Sequence, residues 1–71
     1  MTKPPAWVRN SQEADFYRAM RWFHEARECI ENGDRATPRI IRERLRGAWE
    51  ATGEPSYNAA DDEILELLKY R

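Results

Sequence analysis

Between Asn10 and Gly33 the apolar residues Phe16, Ala19, Met20, Phe23, Ala26 and Ile30 recur at three- and four-residue intervals, the signature of one buried face on a helix. Asn10 followed by Glu13 fits a capping box at its start, and Gly33 after Asn32 supplies a stop. A second helix is predicted from Thr37 as N-cap, with Pro38 at the first helical position. Ile41, Leu45 and Ala48 form its apolar stripe, with Ile40 and Trp49 beside it. Gly47 weakens that helix by about 1 kcal/mol relative to alanine, so it is expected to end there or to run on to Ala51. The segment TGEPS, with Gly53 and Pro55, reads as a loop. A third helix is predicted from Asn58 as cap to the C-terminus, buried through Ile64, Leu67 and Leu68 and flanked by Leu65. Asp61, Asp62 and Glu63 are then expected in its first turn, where carboxylates suit the helix dipole. Strand-period alternation is absent apart from a short extended piece that Ala48–Glu50 would permit. The expected fold is therefore all-α: a compact three-helix domain, helix-turn-helix-like, over residues 10–71. An extended N-terminal arm of residues 1–9 precedes it, stiffened by Pro4 and Pro5 and anchored on the core by Trp7 and Val8.

Size changes this picture only by limiting it. A chain of 71 residues is near the lower limit for a core without staples. Three Trp and three Tyr supply large apolar area per residue, enough for one core of packed helices. They do not suffice for a core and a buried active-site cavity together. The single cysteine, Cys29, excludes an intramolecular disulfide, and small secreted domains are usually rich in disulfides. No apolar run approaches the ~20 residues that span a bilayer, and the opening MTKPPAWVRNSQ lacks the apolar core of a signal peptide. A cytoplasmic protein with no membrane association is expected.

Charge is more informative. The formal net charge is −1, yet residues 35–49 carry five arginines against Glu43, whereas residues 50–71 carry six acids against Lys69 and Arg71. A basic middle followed by an acidic end favours specific pairing, within the chain or with a partner.

Candidate chemistry is sparse. His24 and Cys29 are the sole residues of their kinds, too few for a four-ligand zinc site, and no metal or other cofactor is expected. Five residues along a helix set their side chains some ~140° apart, which excludes a nucleophile–base pair. His24 and Glu28 are instead expected to form a surface pair. No carboxylate pair is singled out by an apolar setting. The three glycines are isolated, so there is no glycine-rich phosphate loop. A non-enzymatic protein is expected.

The arginines remain. On a helix beginning near Pro38, Arg39, Arg42 and Arg46 share one face, Arg35 lies just before it and Arg44 lies to one side. A solvated helix face is usually of mixed sign, with Lys and Glu common. An all-arginine face suits bidentate contacts to carboxylate or phosphate. Arg35, Arg39, Arg42, Arg44, Arg46 and Trp49 are the candidate partner-binding residues. The solvated face is one alternative, and pairing of Arg39, Arg42 and Arg46 with Asp61, Asp62 or Glu66 inside one monomer is another.

The stretch ENGDRATPRIIRERLRG, through Gly33, Thr37, Ile41, Arg42, Leu45 and Gly47, resembles the start of the helix-turn-helix module of KfrA-type plasmid DNA-binding proteins. The terminal ILELLKYR is similar to the Leu-rich end of that module's next helix, so the resemblance spans residues 31–71. It implies a DNA-binding regulator. Two features depart from the pattern. The helix expected to enter the major groove begins SYNAADDEI, whose acids would meet the phosphates with like charge. The connection AWEATGEPSYN also exceeds the usual three- or four-residue turn.

Two functions follow. The first is a small regulatory protein, of the kind phages and mobile elements encode, that modulates a protein partner with an acidic surface through the arginine-rich helix. A homodimer is compatible with it, since basic and acidic segments can pair between copies. The alternative is a helix-turn-helix transcriptional, plasmid or phage regulator that binds DNA.

Overall fold

The computed structural model describes residues 5–70. Residues 1–4 of the expected arm, and Arg71, lie outside the described residues. Three helices make up the fold, α1 (Ser11–Glu31), α2 (Ala36–Thr52) and α3 (Pro55–Tyr70). Each packs on both of the others, α1 against α3 most extensively. The fold is all-α, and no strand occurs among the described residues; the Ala48–Glu50 piece is helical.

Helix α1 starts as its sequence requires, with Asn10 Oδ1 accepting the Glu13 N–H at 2.9 Å. The reciprocal half of the capping box is displaced by one residue. Glu13 Oε1 accepts from the Arg9 N–H at 3.2 Å, not from Asn10. At the other end Gly33, at φ +86°, takes the left-handed conformation that a side chain would disfavour. Its N–H donates to the Ile30 carbonyl at 3.0 Å, and the Asp34 N–H donates to the Cys29 carbonyl at 2.8 Å, which together form a Schellman stop.

Asp34 also opens the next helix. Its Oδ1 accepts the N–H groups of Ala36 and Thr37 at 3.0 and 3.1 Å. The bonds from Thr37, opposed by burial and reinforced by Ala36, hold the carboxyl below its ordinary range. The capping side chain of α2 is therefore that of Asp34 and not Thr37, with Arg35 at the position just before the helix. Thr37 and Pro38 lie inside the first turn, where Pro38, lacking an N–H, loses nothing by being buried.

Helix α2 passes through Gly47 and ends at Thr52. Gly53, at φ +72°, donates its N–H to the Trp49 carbonyl at 2.7 Å. Pro55 then starts α3, three residues earlier than the predicted cap Asn58, because proline suits a first helical position. Two corrections follow. The turn between α2 and α3 is only Gly53–Glu54, not the long connection expected. Asp61, Asp62 and Glu63 lie beyond the first turn of α3, so capping the dipole is not their role.

A methyl placed on Gly47 would meet nothing within 4 Å. Gly47→Ala is thus expected to stabilise the protein by about 1 kcal/mol. In a thermal melt followed by circular dichroism this raises Tm by roughly 4–8 °C for a domain of this size.

The core consists of Ala19, Ala26, Ile41, Leu45, Tyr57 and Ile64. Ala19 and Ala26 let the helices approach closely, and Tyr57 fills the space that such small residues leave. Trp22 packs on Tyr57 with ring centroids 6.1 Å apart. The tyrosine hydroxyl donates to Asp15 Oδ1 at 2.7 Å, tying the start of α3 to α1. The expected core differs from this one at both ends of the scale: Tyr57, outside the predicted helices, is fully buried, and Trp49 beside the α2 stripe is exposed. Phe16 and Met20 of the α1 stripe are exposed, and so is Ile40 beside the α2 stripe. Trp7 docks as expected, edge-on to Phe16 and Tyr17 at 6.1 and 5.9 Å, although much of its ring stays exposed.

Candidate functional site

At 100° per residue, Arg35, Arg39, Arg42, Arg46 and Trp49 succeed one another along one flank of α2. That flank faces α3. Arg39, Arg42 and Arg46 line a groove with α3 there and Arg35 reaches the end of α3, whereas Trp49 stays exposed and Arg44 projects from the other side. The row is only in part a solvated back: Arg35, Arg39 and Arg46 are exposed, and Arg42 is not. Arg42 has a side chain only 20% exposed, and its Nε donates to Asp61 Oδ1 at 2.7 Å. Arg46 Nη2 lies 3.8 Å from Asp61 Oδ2. The Arg35 guanidinium donates to the Leu68 carbonyl, satisfying a backbone acceptor near the end of α3. Arg39 and Arg44 are exposed and have no ion-pair partner among the described residues. The expected pairing of the arginines with acids of α3 therefore occurs for Arg42 and Arg46, through Asp61 alone.

Asp61 is the buried acid among the described residues. It lies on the α3 stripe that runs Tyr57, Asp61, Ile64, Leu68 at intervals of four, three and four. A carboxylate in that position enters the α2–α3 interface and must be paired there. Arg42 meets that need with a charge-assisted bond, and Arg46 contributes at longer range.

Above this pair lies an open groove of about 500 Å³, with Leu65 and Leu68 as apolar floor and Arg39, Arg42, Arg46 and Lys69 as cationic wall. Glu43 is the one acid on its lining. Asp61, Glu43 and Glu66 stand against the four cations, leaving a small positive excess at the groove. Lys69 Nζ is 3.8 Å from Glu66 Oε1 with both side chains more than half exposed, a pair of little energetic weight. The sequence reading missed Leu65, Leu68 and Lys69 as parts of this site, because it placed the working surface on one helix and not between two.

The remaining candidate chemistry does not assemble. His24 sits against Phe23, ring centroids 5.6 Å apart, and the expected pair with Glu28 does not form. Burial, and then the charges of Asp34, Glu25 and Glu28, push the Cys29 thiol up from its ordinary value, which disfavours the reactive thiolate. Among the described residues no group of three or more His, Cys, Asp and Glu is placed to hold a metal ion, and no helix is long and apolar enough to cross a membrane. No family model matches the chain, and neither does any curated protein or solved structure.

Proposed function

We propose that the protein is a non-enzymatic interaction module that receives an acidic, amphipathic segment of a partner protein in the groove between α2 and α3. The observation that carries this reading is the convergence of an electropositive wall, Arg39, Arg46 and Lys69, on an apolar floor, Leu65 and Leu68. A helix with apolar anchors on one face and carboxylates beside them complements both features at once. The apolar floor contributes affinity by desolvation, and the cations set register, partner choice and encounter rate.

Duplex DNA is the second reading, and the two-residue turn between α2 and α3 favours it more than the sequence did. Against it, Asp62, Glu63 and Glu66 are exposed along α3, the helix that would approach phosphate.

The two readings are separated by fluorescence anisotropy at ~150 mM salt, titrating the protein into a labelled helical peptide of Leu anchors flanked by Glu and, in parallel, into random duplex DNA. The expected result is saturable binding of the peptide and none of the duplex. Arg39→Glu and Lys69→Glu, both at exposed positions, are each expected to weaken the peptide complex about tenfold, mostly through charge repulsion. Binding of duplex, lost on the same substitutions, would transfer the site to nucleic acid.

A further inference from the structure

We propose that the groove between α1 and α3 is a second docking surface, for a basic amphipathic segment of a different protein. The proposal is independent of the function assigned to the α2–α3 groove, since no residue is shared between the two.

Phe16 and Met20 are 45% and 41% exposed, and with Phe23 they stand at i, i+4 and i+7 in a straight row along α1. Ala59 and Ala60 form the facing wall on α3, leaving an open apolar groove of about 260 Å³. Trp7, edge-on to Phe16, continues the apolar surface beyond the start of α1. The core is closed without Phe16 and Met20, so the monomer gains little by keeping two large apolar side chains in water. An apolar surface of this kind marks an interaction site, and methionine adapts its shape to an incoming side chain.

Charge decides the occupant. Glu63 is the one charged residue lining the groove, and Glu13 and Glu54 are the charged residues lining its continuation beneath Trp7. No Lys or Arg lines either part. Arg27, next in the row after Phe23, lies outside the groove lining and shares an exposed pair with Glu31 at 3.2 Å. The α2–α3 groove has the opposite polarity, so the two faces select partners of opposite charge. A second copy of the chain fits poorly. Twofold pairing of this patch sets Glu13, Glu54 and Glu63 of both copies at one interface, where like charges repel. Contact with the basic groove of another copy is head-to-tail and need not close.

The test titrates the full chain into a labelled helical peptide of Leu anchors flanked by Lys, at ~150 mM salt. Saturable binding is expected, weakened about tenfold or more by Met20→Glu and several-fold by Glu63→Lys, but unchanged by Arg39→Glu. Met20→Ser repeats the measurement with a neutral residue, and circular dichroism confirms that each variant is folded. Sedimentation equilibrium on the same samples is expected to show a monomer. The proposal is overturned by absence of saturable binding, by binding insensitive to Met20→Glu and Glu63→Lys, by a Met20-dependent complex with the acidic peptide, or by a wild-type dimer that Met20→Glu dissociates. Loss of binding through Arg39→Glu would also overturn it while leaving the α2–α3 reading intact.

Discussion

Tyr57→Ala is expected to remove a large part of the protein's stability. Truncating a fully buried aromatic residue costs about 3–5 kcal/mol, whereas a domain of 71 residues has a total stability of roughly 4–10 kcal/mol. Tyr57 has no exposed surface, packs at a tilt against Trp22 and shares the core with Ala19 and Ala26, which offer little side chain to collapse into the space. Its loss would also leave Asp15 with only the longer contact to Arg18, at 3.9 Å. Tyr57→Phe separates the ring from the hydroxyl. It is expected to fold, with a loss of about 1–2 kcal/mol for the missing bond to a carboxylate. Urea denaturation of both variants checks the pair. Near wild-type stability of Tyr57→Ala would show that the α1–α3 contact does not hinge on this ring.

The same hydroxyl makes stability depend on alkaline pH. Burial above all, then the hydrogen bond to Asp15 and its charge, push the Tyr57 hydroxyl up to about 12, against the weaker opposing effect of Arg18. The folded protein therefore keeps a proton that the unfolded chain releases near pH 10. The resulting stabilisation is complete below pH 10 and declines as pH rises toward 12, by an amount on the order of 2 kcal/mol. Wild type and Tyr57→Phe should accordingly converge in stability above pH 10, and a tyrosinate absorbance component near pH 12 should be absent from the variant.

Periodicity made the helices legible, and burial followed it at the centre of each stripe: Ala19, Ala26, Ile30, Ile41, Leu45 and Ile64 all fall where the spacing put them. Tyr57 was not legible, because Gly53 and Pro55 read as loop residues while the chain uses them as a left-handed stop and a first helical position two residues apart. Moving the start of α3 back to Pro55 turned a loop tyrosine into the centre of the core and shortened the connection that had seemed to break the helix-turn-helix pattern. Phe16 and Met20 lie on the edge of the α1 stripe, and spacing alone does not say where a buried face ends. The arginine row was visible, and Asp61 stood among the three α3 acids expected as its counterparts, but only the earlier start of α3, which puts Tyr57 on the same stripe, singles it out. An acid on an apolar stripe, as Asp61 is between Tyr57 and Ile64, signals a buried ion pair, and the basic row of α2 was its available counterpart.

That ion pair yields the prediction that most directly joins fold to function: Asp61→Asn is expected to lower stability while raising affinity for an acidic partner. The asparagine oxygen still accepts from Arg42 Nε, so the geometry at 2.7 Å is kept while charge assistance is lost, costing about 1–2 kcal/mol. Asp61→Ala is expected to cost more, since it leaves the guanidinium of Arg42 without its acceptor in a site where that side chain is only 20% exposed. Both variants remove one negative charge from beneath the groove and release Arg46 from its 3.8 Å contact. At the effective dielectric of a protein surface, one charge a few ångströms from a bound carboxylate changes binding by about three- to tenfold. Asp61 thus holds the helices together and at the same time damps the groove it supports. Calorimetric titration of the acidic peptide, set beside urea denaturation of the same variant, reads both effects. If Asp61 is only a strut, affinity and stability will fall together. Opposite signs for the two would identify the arginine row as the binding wall, with its strength set by its own buried counter-ion.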